Sequence, residues 1–381
     1  MQKSLPIKLL LWISRILFGV VFIFSGFVKA IDPLGSVYKF QDYFLAFNAE
    51  WLFPTALPMA ILLSSLEFLI GAAVLLGLKM RYSAWGGLLF MLFFTPLTLY
   101  IAIFNPVSDC GCFGDALVIS NWATFYKNIF ILAAAIFIFV YRNQFKPLLG
   151  EKRDGYLVVI IAIAIVWLSV YCLRNLPIID FRPWKVGNNI NELVVPTPEV
   201  AEVFLIYRNK ETGERQEFLP AELPWNDQAF MDAWEYADQR RVVIQEFIEA
   251  PINNFMIQDD YGYDYTEAYI GNPDYQFLVI AYDLNRTHRK AFQRRINEFA
   301  AQAEQNGISL VVLTGSGFGT IDVFRHDMQT PYPFYQTDEI ALKTIIRSNP
   351  GLVLLKDGVV KAKWHHRNIP TFERVQQRYM N

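Results

Sequence analysis

Apolar residues are distributed along this chain in two different ways. Up to about residue 173 they come in long runs; beyond it they form short blocks between polar turns. Five runs stand out, at Ile7–Ala30, Pro58–Leu78, Tyr82–Phe104, Trp122–Tyr141 and Tyr156–Leu173. At 1.5 Å of rise per residue, each is long enough to cross about 30 Å of hydrocarbon as a helix. Small residues recur within them (Gly19, Ser25 and Gly26, then Gly71 and Ala72, then Gly86 and Gly87), where helices can approach closely. The pattern predicts a compact bundle. The first run is too long for a cleavable leader and lacks a small-residue cleavage site, so it is expected to stay as a span.

Basic residues alternate around these runs. Lys3 and Lys8 lie at the N-terminal end of the first, Lys79 and Arg81 fill the second connection, and Arg142, Lys146, Lys152 and Arg153 follow the fourth run. The connection Ile31–Leu57 has one Lys39 against Asp32, Asp42 and Glu50, and the connection before Trp122 has no basic residue. The positive-inside rule then predicts a cytoplasmic N-terminus. The first and third connections, and everything after Arg174, are expected outside.

In the remainder the period shortens. Pro177 to Pro198, with Phe181, Pro183 and Trp184, reads as a collar at the headgroups. Glu202–Tyr207 and Gln216–Leu219 read as a β-hairpin, Asp227–Gln239 as a short helix and Arg241–Glu249 as a strand. Strand Phe277–Tyr282, helix Thr287–Gln305 ended by Gly307, strand Ile308–Leu313 and helix Glu339–Ile346 follow. A hairpin of Leu352–Leu355 and Val359–Trp364 turns on Lys356-Asp357-Gly358. The order β-α-β-α-β-β predicts a small α/β sandwich. The expected domains are a four-helix membrane domain (1–150), a fifth span (151–176), an interfacial linker with a small α+β region (177–250) and the α/β domain (251–381).

A net charge of −2 points to no nucleic-acid partner, and three cysteines do not make a disulfide scaffold. Two of the three stand in Asp109-Cys110-Gly111-Cys112-Phe113-Gly114, with no Lys or Arg nearby in sequence. Thiols at this spacing can ligate a metal, close on each other, pair elsewhere, or be inert. Direct closure needs a bent backbone, which Gly111 permits through φ > 0. An outer location is an oxidising one, and no histidine lies near in sequence, which favours a disulfide over a metal. Cys172 is either a resolving thiol or a small buried hydrophobe. Asp109 and Asp115 are expected to raise the thiol pKa values.

Inside the apolar runs, Glu67 and Arg15 are costly unless paired. Helical rise lets them face each other, as a structural ion pair, or as a proton relay or a headgroup contact for a membrane-soluble electron carrier. Lys29 is expected to snorkel to the headgroups. Elsewhere, Gly315-Ser316-Gly317-Phe318-Gly319 follows a strand with no helix pattern behind it and reads as a surface loop. His365-His366 reads as an exposed pair, and Asp259, Asp260 and Asp264 as solvated turn residues without Ca²⁺-loop spacing. No metal site is expected.

Arg15, Ser25-Gly26-Phe27-Val28-Lys29, Glu67 followed by Gly71, and Cys-Gly-Cys-Phe-Gly before a fourth span together resemble the DoxX/MauE superfamily of four-helix bacterial inner-membrane proteins. The cysteine loop resembles the MauE branch, which is implicated in disulfide formation during maturation of methylamine dehydrogenase. The vitamin K epoxide reductase enzymes are a more distant analogue with quinone-coupled thiols. The match spans about residues 7–141; the fifth span lies outside it. Residues 250–381, with Pro350 ahead of the hairpin, resemble a thioredoxin-like domain of the TlpA/peroxiredoxin type, in which a cis proline borders the active site. Where that family has Cys-X-X-Cys, this chain has Asn285-Arg286-Thr287-His288. No cysteine follows Cys172, so this domain is expected to do no thiol exchange of its own.

The resemblance implies a membrane thiol–disulfide redox protein or accessory, with Cys110 and Cys112 exchanging electrons with extracytoplasmic client thiols and a quinone, and Glu67 and Arg15 at the quinone. The alternative is a non-catalytic envelope protein whose outer domain docks a partner protein.

Overall fold

The computed structural model describes residues 5–145, 148, 150–253 and 255–380. Lys3 and Lys146, two of the basic residues behind the predicted orientation, lie outside the described residues. Among the described residues, five helices are long and apolar enough to cross a membrane. They are α1 (Leu5–Ile31), α3 (Ala56–Leu76), α4 (Met80–Phe104), α5 (Asn121–Val140) and α6 (Glu151–Arg174), each overlying one predicted run. Between α1 and α3 the chain forms a further helix, α2 (Pro33–Ala46). Asp32 caps it, its carboxylate accepting from Gly35 N at 3.0 Å, with Pro33 in the first turn where a missing N–H costs nothing. Val37 and Phe44 on α2 pack with Ala56 and Ala60 of α3.

The α1–α3 contact rests on glycine. A methyl group at Gly26 would stand 2.7 Å from the Ser64 carbonyl oxygen, and one at Gly71 2.7 Å from Ile23 N. Backbone therefore lies on backbone, as the small residues predict. These pairs also fix an antiparallel register, with Gly19 beside Leu75 and Gly26 beside Phe68.

Beyond α6 the chain is α/β. β1 (Val200–Asn209), β2 (Arg215–Phe218) and β3 (Trp234–Gln245) form an antiparallel sheet in the order β2-β1-β3. The hairpin falls where expected. The predicted helix Asp227–Gln239 is corrected to Gln228–Ala233, because Trp234 already pairs with Asn209 in β3. Likewise the predicted strand Arg241–Glu249 is the second half of β3 and ends at Gln245.

The larger sheet contains β4 (Tyr275–Ile280), β5 (Ser309–Thr314), β6 (Phe334–Gln336), β7 (Gly351–Lys356) and β8 (Val359–His365), ordered β6-β5-β4-β7-β8. β4, β5 and β6 run parallel, while β7 is antiparallel to both of its neighbours. Alternate residues of β4 enter opposite layers. Phe277 and Val279 meet Phe292, Phe299 and Phe324; Leu278 and Ile280 meet Trp184, Ile190 and Leu342. A strand covered on both faces reads as an unbroken apolar run. The predicted order is corrected after β5, where a helix opens at Phe318 and runs to Met328, followed by β6, and after β8, where helix Phe372–Tyr379 follows. Gly315–Gly319 thus leads into a helix, with Gly317 at its cap. Apolar Ile321, Phe324 and Met328 at helical spacing carry the signal, interrupted by Asp322 and Arg325. The Asn349–Pro350 bond is cis.

Candidate functional site

The cysteine loop joins α4 to α5. Asn105, with φ 48°, ends α4, and its side-chain oxygen accepts from Asn121 Nδ2 at 2.7 Å, drawing the two helix ends together. Asp109 Oδ1 accepts from Gly111 N at 2.8 Å, and Gly111 takes φ 67°. The bend turns both side chains to one side. Cys110 Sγ and Cys112 Sγ are free thiols 2.8 Å apart.

Four groups from distant elements fasten this loop. Tyr43 of α2 donates to the Cys110 carbonyl at 3.1 Å, and Lys39 of α2 pairs with Asp109 at 2.6 Å. Ser25 of α1 lies 2.6 Å from the Cys112 carbonyl oxygen and 2.9 Å from Glu67 Oε2, its one proton serving both acceptors. From the α/β part, Arg347 bonds Asp115 at 2.9 Å.

The structure does not bring Arg15 and Glu67 together. In the antiparallel register Arg15 lies beside the end of α3, where its guanidinium donates to the Val74 and Leu75 carbonyls at 3.1 and 2.9 Å and packs over Trp12 and Phe145. Glu67 is about twelve ångströms of helical rise away from that level. Its partner is Lys29, whose Nζ lies 2.8 and 2.7 Å from the two carboxylate oxygens and 3.0 Å from Ser25 Oγ. Lys29 is buried, so the expectation that it reaches the headgroups is corrected. A lysine and a glutamate that neutralise each other need no headgroup.

The thiols and the Lys29–Glu67 pair line one cavity of about 700 Å³. Most of its remaining wall is apolar, with Phe22, Phe44, Phe90 and Ile131 among the lining, and Ser25, Lys39, Tyr43, Lys127 and Asn128 add polar groups. A second cavity of about 600 Å³ lies on the other side of the loop, walled by Asp32, Asp109, Asp115, Arg182 and Arg347. Lys29, Ser36, Lys39 and Gly111 border both; the two cysteines border only the first.

The thiols differ electrostatically. The hydrogen bond from Cys110 brings Cys112 down to about 6; Lys127 and Lys29 add to this against the opposing effect of burial. The same hydrogen bond, with burial, pushes Cys110 well up. The aspartates of the loop do not set these values, because Lys39 neutralises Asp109 and Arg347 faces Asp115. Basic groups absent from the loop's own sequence arrive from α1, α2, α5 and the α/β part. Cys172, buried in α6, lines neither cavity.

The His365-His366 pair is corrected as well. His365 is buried at the end of β8, and His366 stacks on His288 at 4.7 Å with Nδ1 3.1 Å from Ser348 Oγ. Burial, then neighbouring charge, holds His365 down to about 4 and His366 to about 3. Among the described residues, no group of His, Cys, Asp and Glu is arranged to hold a metal.

Sequence reasoning missed Ser25, Lys39, Tyr43, Lys127 and Arg347. Ser25 and Lys29 were visible in part: they are four residues apart and share a face of α1. Arg347 left no signal, being 232 residues from Asp115.

No curated protein and no solved structure matches the chain. Residues 7–141, the stretch that holds α1 to α5 and the cysteine loop, match the family described as methylamine utilisation protein MauE, and the chain is a multi-pass membrane protein similar to that family over this stretch.

Proposed function

We propose that the protein is a membrane thiol–disulfide oxidoreductase in which Cys110 and Cys112 take electrons from extracytoplasmic thiols and hand them to a quinone in the apolar cavity. The observation that carries this reading is the cavity itself: two thiols in contact, one of them acidic, at the wall of an apolar chamber of about 700 Å³. The chamber fits a flat apolar ring system, and its buried polar groups, Lys29, Glu67 and Ser25, stand beside the Cys112 carbonyl. Those groups and Tyr43 would hold a quinone, which supplies a sink for two electrons and two protons. A client thiolate attacks the Cys110–Cys112 disulfide, displacing one cysteine as a thiolate; the second client thiol resolves the mixed disulfide and leaves Cys110 and Cys112 reduced. Cys112, the acidic member, is the thiolate from which electrons depart again as the disulfide re-forms.

We read the α/β part as thioredoxin-like and extracytoplasmic. The parallel β4–β5 pair and the antiparallel β7–β8 hairpin beside β4 support the first reading. The bonding of Arg347 to the cysteine loop, which keeps both on one side, supports the second. We place the protein in a bacterial inner membrane with a client among envelope proteins, a reading that the MauE likeness supports. The face beside Pro350 is turned to the bundle, through Arg347 and the Tyr282–Tyr38 contact, which weighs against partner docking by that face.

The test is the redox state of Cys110 and Cys112 in membranes, with and without added quinone. Oxidation that depends on quinone and is lost in Cys110→Ser and Cys112→Ser is the expected outcome. A dithiol indifferent both to quinone and to a reduced client protein would sink the reading.

A further inference from the structure

We infer that Arg347 is a positioning residue for the Cys110–Cys112 loop, holding it so that the thiols face the apolar cavity and not the polar one behind it. The inference rests on the redox reading for its meaning, though its geometry stands alone.

Arg347 belongs to the α/β part, between helix Glu339–Ile345 and β7, three residues before Pro350. It is 6 % exposed. Its Nη2 lies 2.9 Å from Asp115 and 2.9 Å from Asp32, and its Nε bonds both Asp32 oxygens at 3.0 and 2.9 Å. Asp115 lies in the short helix Gly114–Ala116, directly after the cysteine turn, while Asp32 caps α2. One guanidinium therefore ties the loop to the start of the helix that carries Lys39 and Tyr43, its other fasteners. Those other fasteners, with Ser25, all belong to the bundle; Arg347 comes from the α/β part.

The two cavities explain what the tie does. The loop is the wall between them, with its thiols on one side and Asp109 and Asp115 on the other. The Asp115 side chain is 44 % exposed, and without the Arg347 bond the cations acting on it are only the more distant Arg182 and Lys39. For Asp115 water lies in the polar cavity, and Gly111 and Gly114, both at positive φ, give the backbone places to turn. Release of Arg347 would carry Cys112 with it toward the polar side, where a client thiol arrives. With Arg347 bonded the thiols address the membrane cavity; with it released they address water.

The test uses the full-length, reduced protein in lipid nanodiscs and two thiol reagents, a charged sulfonate-bearing methanethiosulfonate and membrane-soluble N-ethylmaleimide. Asp115→Asn keeps the Arg347–Asp32 pair and frees only the loop; Arg347→Ala frees both; Arg347→Lys restores the charge without the fork. The charged reagent should modify the thiols of Asp115→Asn and Arg347→Ala faster by about tenfold or more, with Arg347→Lys intermediate and the N-ethylmaleimide rate changed less than about twofold. Should Arg347→Ala fail to fold, Asp115→Asn carries the test. Wild-type rates with the charged reagent in Asp115→Asn and Arg347→Lys would overturn the inference, as would equal acceleration by both reagents. A wild-type dithiol that quinone does not oxidise, with the reagent ratio nevertheless shifted, would overturn the redox reading and leave the positioning role standing.

Discussion

Helix α1 buries two cations, Arg15 and Lys29, about 21 Å apart along its axis. Arg15 sits at the end of α3, where the last-turn carbonyls of Val74 and Leu75 and the negative end of the helix dipole meet it. It lines neither cavity. Lys29 meets a carboxylate instead, and the pair forms part of the wall that holds the cysteines. The charge is the same and the burial similar, yet the partners differ. A cation bonded to backbone carbonyls is locked into helix packing, whereas one bonded to an ionisable side chain beside thiols can exchange a proton or a ligand. The comparison teaches that an intramembrane charge is a functional candidate only when its partner and its cavity are known.

Removing each cation breaks or sharpens this contrast. Lys29→Met strands Glu67 in the bundle and should cost about 3–5 kcal/mol, with much of that recovered in Lys29→Met/Glu67→Leu. Arg15→Met leaves the Val74 carbonyl its bond from Gly77 N while the Leu75 carbonyl loses its Arg15 bond, and should cost about 1–3 kcal/mol. Unfolding in detergent, followed by circular dichroism, reads both; equal losses would erase the distinction. The α1–α3 contact that separates the two sites can itself be pried open. Gly26→Ala forces a methyl group onto the Ser64 carbonyl and should cost about 1–3 kcal/mol, whereas Gly86→Ala, 3.5 Å from Ile70 Cδ1, should be near neutral in the same measurement.

At the thiols the contrast becomes one of pH. With Cys112 brought down to about 6, thiolate is present at neutral pH, and the alkylation rate should rise with pH to a midpoint near that value. Lys127→Gln removes a favourable charge and should move the midpoint upward; a wild-type midpoint near the ordinary thiol value of 9.0 would contradict the geometry. The smallest effect is expected in the α/β part. His365 and His366 are held neutral at about 4 and 3 against an ordinary 6.5, so the unfolded chain binds more protons in that window. Stability is full above pH 6.5 and should fall as pH drops toward 4. A melting temperature that stays flat from pH 7 to 5 would count against their burial.

Long uniform apolar runs made the spans readable, because a segment in hydrocarbon must satisfy its own backbone and so declares itself locally. The glycines of the α1–α3 contact and the buried strands β4 and β5 were legible for the same reason: each is a constraint on its own segment. Helix Phe318–Met328 was missed because polar residues interrupt its apolar face, and Trp234 was read as helix because pairing with β1 prevailed over local propensity. The cysteine loop could be named from spacing, and the bend at Gly111 from the need for positive φ. What no local signal held was the set of partners. The antiparallel register of α1 and α3 gave Glu67 to Lys29 and withheld Arg15. Likewise the seating of the α/β part brought Arg347 to Asp115 across 232 residues. Sequence by itself determined the five spans, the buried strands and the cysteine pair, since those depend on neighbours a few residues away. Tertiary structure alone decided the charge pairs and the side of the loop on which the thiols lie, because electrostatics acts through space between groups the chain does not join.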